Sequence, residues 1–302
     1  MPKWFVCECF PPLRYTRHVS QVRQADYFLR VSRPRFWIYV FGPYLVGLAA
    51  AISSPGELHS LPVLIYGLYF LIPANLLIYG INDIFDYETD RLNPKKTDYE
   101  AVVTPEKRRP LAVAILATNL PFLAALPILW PAAMLAMSLF LFFSVFYSAP
   151  PIRAKTKPIL DSAFNVLYVF PGAVAYQLVN GEFPPVATII AGGLWTMAMH
   201  AYSAIPDISA DREAGIATVA TLLGRNGTLL FCLAMYLASA ALAFPFIGWA
   251  ALVLGAVFAV MIAISFAAKE DGGIFNVYRR FPLVNAAAGF LLFWYIFGPK
   301  AF

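Results

Sequence analysis

Apolar runs long enough to cross a bilayer recur along this chain of 302 residues. They occupy residues 36–53, 61–82, 110–129, 131–149, 159–179, 186–206, 227–247, 249–268 and 281–298. A spanning helix needs ~20 predominantly apolar residues. Hydrocarbon offers the backbone no hydrogen-bond partners, so such runs must be helical. Composition agrees: 60% of residues are hydrophobic and 13% charged, against ~45–50% and ~25% in soluble domains. A disordered chain, a nucleic-acid module and an ordinary cytosolic enzyme are excluded. The expectation is an all-α polytopic membrane protein with nine transmembrane helices. Pro73, Pro121, Pro171 and Pro245 punctuate the runs, which membrane bundles tolerate when neighbours satisfy the freed carbonyls.

Charge sets the expected orientation. Residues 1–35, 84–109, 150–158, 207–226 and 269–280 together hold 21 of the 22 Lys and Arg. With nine spans, and a break at Trp130-Pro131, all five segments fall on one face. By the positive-inside rule that face is cytoplasmic. The N-terminus is then inside and the C-terminus outside, in a cytoplasmic (inner) membrane. Only Lys300, Glu57 and Glu182 mark the opposite face. Residues 1–35 read as a basic, partly amphipathic lead-in, and 36–298 as the membrane domain. Arg23, Arg30, Arg33 and Arg35 stand there among Tyr27, Phe28, Phe36 and Trp37, a pattern that suits an interfacial anchor on anionic lipid. A share in the mouth of a binding site is the alternative. The net charge of +5 follows from topology and needs no anionic partner. Cys7, Cys9 and Cys232 are too few for a disulfide framework, and no cleaved leader is expected.

The carboxylates carry the chemistry. Seven of the 17 Asp and Glu lie between Asp83 and Glu106. In NDIFDYETD, Asp83, Asp86 and Asp90 are spaced i, i+3, i+7, one face of a helix. In PDISADRE, Asp207 and Asp211 are spaced i, i+4. The two ladders close spans 2 and 6, so both meet the cytoplasmic face. Clustered carboxylates at membrane-embedded helix ends are costly unless neutralised. A divalent cation removes the cost, and oxygen-only donors without His or Cys suit Mg²⁺ shared with phosphates. A pair of solvated helix ends is the alternative. Pro206 is expected to open the helix beside Asp207 and to free the carbonyl of Tyr202, unless it merely terminates that helix. Arg153 and Lys155, with Lys157, follow span 4. Arg91, Lys95, Lys96, Lys107, Arg108 and Arg109 follow span 2. They are the candidate cations for a diphosphate leaving group. Asp161, Asn165 and His200 are candidate cavity residues; for Asp161, capping its own helix is the alternative.

These motifs resemble those of the UbiA superfamily of intramembrane prenyltransferases. Asn82, Asp83, Asp86 and Asp90 match its N-D-x-x-D-x-x-x-D, and Asp207 and Asp211 its D-x-x-x-D, followed by AGIATVATLLG. The stretch from Tyr147 to Lys155 and RRPL at 108–111 are similar too. The resemblance covers about residues 30–298. It implies nine helices around a central cavity open to lipid, as two pseudo-repeated four-helix halves plus one. It implies a Mg²⁺-dependent transferase that releases diphosphate from an allylic substrate and passes the prenyl cation to an acceptor. Asp83, Asp86, Asp90, Asp207 and Asp211 would be the metal ligands, with Lys155 also catalytic. Asn82, Lys95, Tyr147, Arg153 and Asp161 would bind substrate.

RVSRPRFWIYVFGPYLVG, LNPKKTDYEAVVTPEKRR and KPILDSAFNVLYVFPG are most similar to lycopene elongases of bacteria. That implies dimethylallyl diphosphate as donor and lycopene or a related carotene as acceptor. Few interior polar groups beyond Asn75, Asp161, Asn165 and His200 agree with an apolar acceptor. A quinone or other aromatic acceptor is the alternative. A lipid or ion transporter is the reading from another class, since transporters also pair carboxylates inside membranes.

Overall fold

The computed structural model describes residues 26–87, 103–213, 215–268 and 271–301. Every regular element among them is helical. The longer elements are α1 (Ile38–Ala51), α2 (Leu61–Leu71), α3 (Pro73–Phe85), α4 (Pro105–Leu129), α5 (Met134–Ser148) and α6 (Leu160–Ala163). They continue with α7 (Phe170–Asn180), α8 (Val186–Ala204), α9 (Ile208–Glu213), α10 (Val219–Ile247), α11 (Trp249–Ala267) and α12 (Asp271–Ala301). Large apolar side chains such as Leu116, Ile128, Trp249 and Leu283 stand exposed on the outside, as a lipid-facing surface requires.

Seven described helical stretches are long and apolar enough to cross a membrane by themselves, where nine were expected. The other two runs are shorter or less apolar for physical reasons. Helix α1 has 14 residues. Helix α8 has 19, but Gly192, Gly193, Thr188, Thr196 and His200 dilute it.

Prolines shape the interruptions. Pro73 divides the second run into α2 and α3. The break leaves carbonyls without helical donors, and the buried Asn75 supplies them: its Nδ2 donates to Phe70 and Leu71, each at 3.0 Å. The turn at Trp130-Pro131 separates α4 from α5, as read from the sequence. The fifth run is not one helix: α6 passes through a 3-10 turn, Phe164–Tyr168, into α7. Asn165 stitches this break, donating to the carbonyl of Asp161 at 2.7 Å. Helix α10 begins at a Thr218 capping box and breaks at Gly224, whose φ of 66° is left-handed, ahead of the run expected from 227.

Two hydrophobic cores result. One gathers Tyr44, Tyr66, Tyr69, Phe70 and Phe140 among the helices up to α7. The other gathers Tyr202, Tyr236, Phe258 and Ile262 among the later ones. Helix α12 joins both, with Phe281 in the second core and Phe297 in the first. Close approach of α1 and α7 depends on two glycines. A Cβ on Gly47 would lie 2.2 Å from the carbonyl oxygen of Gly172. Small residues of this kind let membrane helices pack backbone to backbone. Lys300 closes the ring: its Nζ donates to the carbonyls of Ala49 and Ile52 at 2.8 Å and of Ala50 at 3.2 Å. These are the orphan acceptors at the C-terminal end of α1, where a cation also meets the helix dipole favourably.

Candidate active site

The first acidic ladder stands where α3 ends. Asp83 is fully buried and Asp86 is 6% exposed. Carboxylates placed so deeply need partners, and three cations converge on them. Arg33 donates from Nη2 to Asp83 Oδ1 at 2.8 Å. Lys155 pairs with Asp86 Oδ2. Arg153 Nη2 stands 3.7 Å from Asp86 Oδ1 and donates to the carbonyl of Phe85 at 3.3 Å. Arg33 and Arg153 both hold left-handed backbone, at φ 52° and 46°. Such conformations cost non-glycine residues free energy and collect at functional sites. Burial pulls the Lys155 ammonium down to about 7, with Asp83 opposing the pull and Arg33 adding to it. Burial pushes the Tyr27 phenol up to about 12, and the Asp83 charge adds to that.

Rings and amides complete this side. The Arg33 guanidinium lies 4.9 Å from the ring centroid of Tyr79. The Tyr79 and Tyr168 hydroxyls are 3.5 Å apart, and Phe36 and Tyr39 pack against these two rings. Asn82 donates to Ser148 Oγ at 3.1 Å, tying the acidic motif to the end of α5. The neighbouring Tyr147 meets the ring of His200 edge-on at 6.1 Å. His200 Nε2 lies 3.9 Å from Asp161 Oδ2. Asp161 is fully buried and accepts the Val219 N–H at 3.0 Å. A chain of contacts thus runs from the first motif across to α8 and α10.

The second ladder stands beyond α8. That helix ends at Ala204, and a 3-10 turn, Ile205–Asp207, carries Asp207 into α9, which bears Asp211. Both carboxylates are half-buried. Pro206 does break the helix, but the carbonyl of Tyr202 is not left free: the Ile205 N–H takes it in the tightened turn. Asp161, for which capping its own helix was the alternative, also reaches beyond α6: its Oδ2 accepts the Val219 N–H at the start of α10. Asp90 and Lys95 lie outside the described residues.

Arg153 and Lys155, the candidate cations read from the sequence, stand beside the first ladder. Arg33, read there within the basic lead-in with a share in a site mouth as the alternative, stands beside it too. The one available signal was its position directly before Pro34 and the first span. Among the described residues no three of His, Cys, Asp or Glu stand together as a ready-made metal cage. The donors are oxygen only: two buried carboxylates on one helix end and two half-buried ones on another. That set fits a hard divalent cation that takes few protein ligands and fills its shell with water and phosphate oxygens.

The profile of the UbiA prenyltransferase family matches residues 40–297. A lycopene elongase/hydratase of Haloarcula japonica is 42% identical over 87% of this chain and 88% of its own length. Another, from Haloferax volcanii, is 43% identical over 88% and 87%. A third, from Corynebacterium glutamicum, is 36% identical over 70% and 74%. The fold is shared with a UbiA homolog from Archaeoglobus fulgidus, solved bound to DMAPP and Mg²⁺. The TM-score is 0.68 at 20% identity, covering 88% of this chain and 99% of that one. The same homolog bound to GPP and Mg²⁺ gives 0.63, with the same identity and coverage. Helical architecture, family profile and closely similar relatives agree: the chain belongs to the UbiA prenyltransferase family.

Proposed function

We propose that this prenyltransferase transfers a dimethylallyl group from its diphosphate to lycopene or a closely related linear carotene. One arrangement carries the reading: Arg33, Lys155 and Arg153 converge on the buried Asp83 and Asp86 beside the rings of Tyr79 and Tyr168. Anion-binding cations and cation-tolerant rings are what allylic diphosphate ionisation needs. The names of the relatives similar to this chain over most of its length support the carotene.

In this reading Asp83, Asp86, Asp90, Asp207 and Asp211 hold Mg²⁺, which when bound adds Lewis-acid charge on the leaving diphosphate. Lys155, Arg153, Arg33 and Lys95 give the same anion charge-assisted hydrogen bonds. Asn82 fixes the motif against Ser148. The faces of Tyr79 and Tyr168 favour the allylic cation. Tyr147 and Asp161 stand on the acceptor side. The terminal alkene of the carotene attacks the carbon that loses diphosphate, leaving a tertiary cation on the product.

The same reading takes 36–298 as a nine-span membrane domain after a cytoplasmic lead-in, with α1 and α8 crossing alongside the seven strongly apolar stretches. Expression in a lycopene-producing bacterium, followed by pigment mass analysis, tests the acceptor. Products heavier by one or two five-carbon units are expected. Unchanged lycopene, with a phenolic acceptor prenylated by the same membranes, would overturn it.

A further inference from the structure

A reaction of this kind leaves a cation on the product, and something must end it. Relatives similar to this chain are named elongase/hydratases, and we propose that here His200, with Asp161 behind it, is the base that delivers water to that cation. The proposal rests on the carotene reading above and deepens it.

Three observations converge on the pair. His200 keeps 22% of its side chain accessible, while Asp161 has none. The imidazole is therefore the partly accessible member of the pair and the carboxylate the buried one. Asp161 cannot swing away, because Oδ2 accepts the Val219 N–H at 3.0 Å. It sits there at the first turn of α10, where the helix dipole favours negative charge. Tyr147 packs edge-on against the imidazole and limits its rotation. A base oriented from behind by a fixed carboxylate is the arrangement that stabilises an imidazolium once a proton arrives.

Position agrees with the chemistry. Tyr147 precedes Ser148, which receives the Asn82 hydrogen bond. A run of contacts thus links the pair to the first acidic motif, from His200 to Tyr147 and from its neighbour Ser148 to Asn82. The new carbon–carbon bond forms at the carbon that loses diphosphate, and the product cation lies two bonds from it. The water-delivering base must therefore stand near the diphosphate site, on which this run of contacts converges.

The step balances without an oxidant or reductant. The allylic C–O bond breaks and diphosphate leaves with the electron pair. The alkene π pair makes the C–C bond. A water oxygen bonds the tertiary carbon, and its proton passes to the His200 imidazole. Without that base the cation loses a proton from carbon, for which the departing diphosphate suffices, and an alkene results.

The test uses the full chain in detergent with magnesium, dimethylallyl diphosphate and lycopene in ¹⁸O-water. Wild type, His200→Gln and Asp161→Asn are compared by product mass. Wild type should incorporate ¹⁸O. In His200→Gln the ratio of hydrated to alkene product should fall at least ~10-fold, whatever happens to total turnover. Asp161→Asn retains an acceptor for the Val219 N–H and should shift the ratio the same way by less, which keeps the test alive should His200→Gln not fold. An unchanged ratio in a folded variant overturns the proposal, as does prenylated wild-type product lacking ¹⁸O. Wild type that prenylates no carotene at all sinks the acceptor reading first, and this proposal with it.

Discussion

Asp83 is buried without remainder and meets Arg33 from fifty residues earlier in the chain. In the proposed mechanism a carboxylate so placed exchanges a protein cation for magnesium. Asp83→Asn keeps the shape and removes the charge, and Asp207→Asn does the same on the second ladder. Turnover in each variant should fall at least ~10²-fold, about 2.7 kcal/mol of transition-state stabilisation. Both proteins should still accumulate in the membrane. Turnover measured in detergent against excess magnesium decides it, and full activity in both variants would remove these residues from the metal site. The ladder itself was legible because helical spacing is a local property of the sequence. Arg33 was not, because seven basic residues in the first 35 look alike until one of them is folded onto a carboxylate.

Among the elements, α1 against α7 is the pairing most sensitive to a single atom. Gly47 and Gly172 approach so closely that a methyl on either meets backbone: 2.2 Å from the Gly172 carbonyl oxygen in one case and 2.7 Å from the Pro43 carbonyl oxygen in the other. Gly47→Ala must push the helices apart, an overpacking cost of about 1–3 kcal/mol. Gly289, on α12, has nothing within 4 Å of its Cβ position, so Gly289→Ala should be neutral or slightly stabilising. Thermal unfolding in detergent should give Gly47→Ala a clearly lower midpoint than wild type and Gly289→Ala no decrease. Equal midpoints for the two variants would contradict this account of the interface. Glycine within an apolar run carries no such message in the sequence, since only the neighbouring helix makes its missing side chain matter. The broken fifth run was equally hidden: Pro171 showed in the sequence, but the 3-10 turn before it is stabilised by Asn165.

At the scale of the whole molecule, the two ends of α1 are held by different cations. Arg33 lies before its start, at the acidic motif, and Lys300 grips its far end. The single basic residue outside the five basic segments thus has a structural task. The proposed nine-span topology requires an odd number of crossings. Reporter fusions after Lys157 and at Phe302 should report opposite sides, the first cytoplasmic; the same side for both would end the nine-span topology. The all-helical membrane class, most of the apolar spans and both acidic motifs came from the sequence alone, because hydropathy and helical periodicity act on each stretch of chain without reference to the rest. Only the tertiary structure decided that Arg33 meets Asp83, that Asp161 caps α10 and faces His200, and that Gly47 touches Gly172. Each of these depends on a distance of a few ångströms between segments far apart in the chain, and helix packing, not local composition, sets such distances.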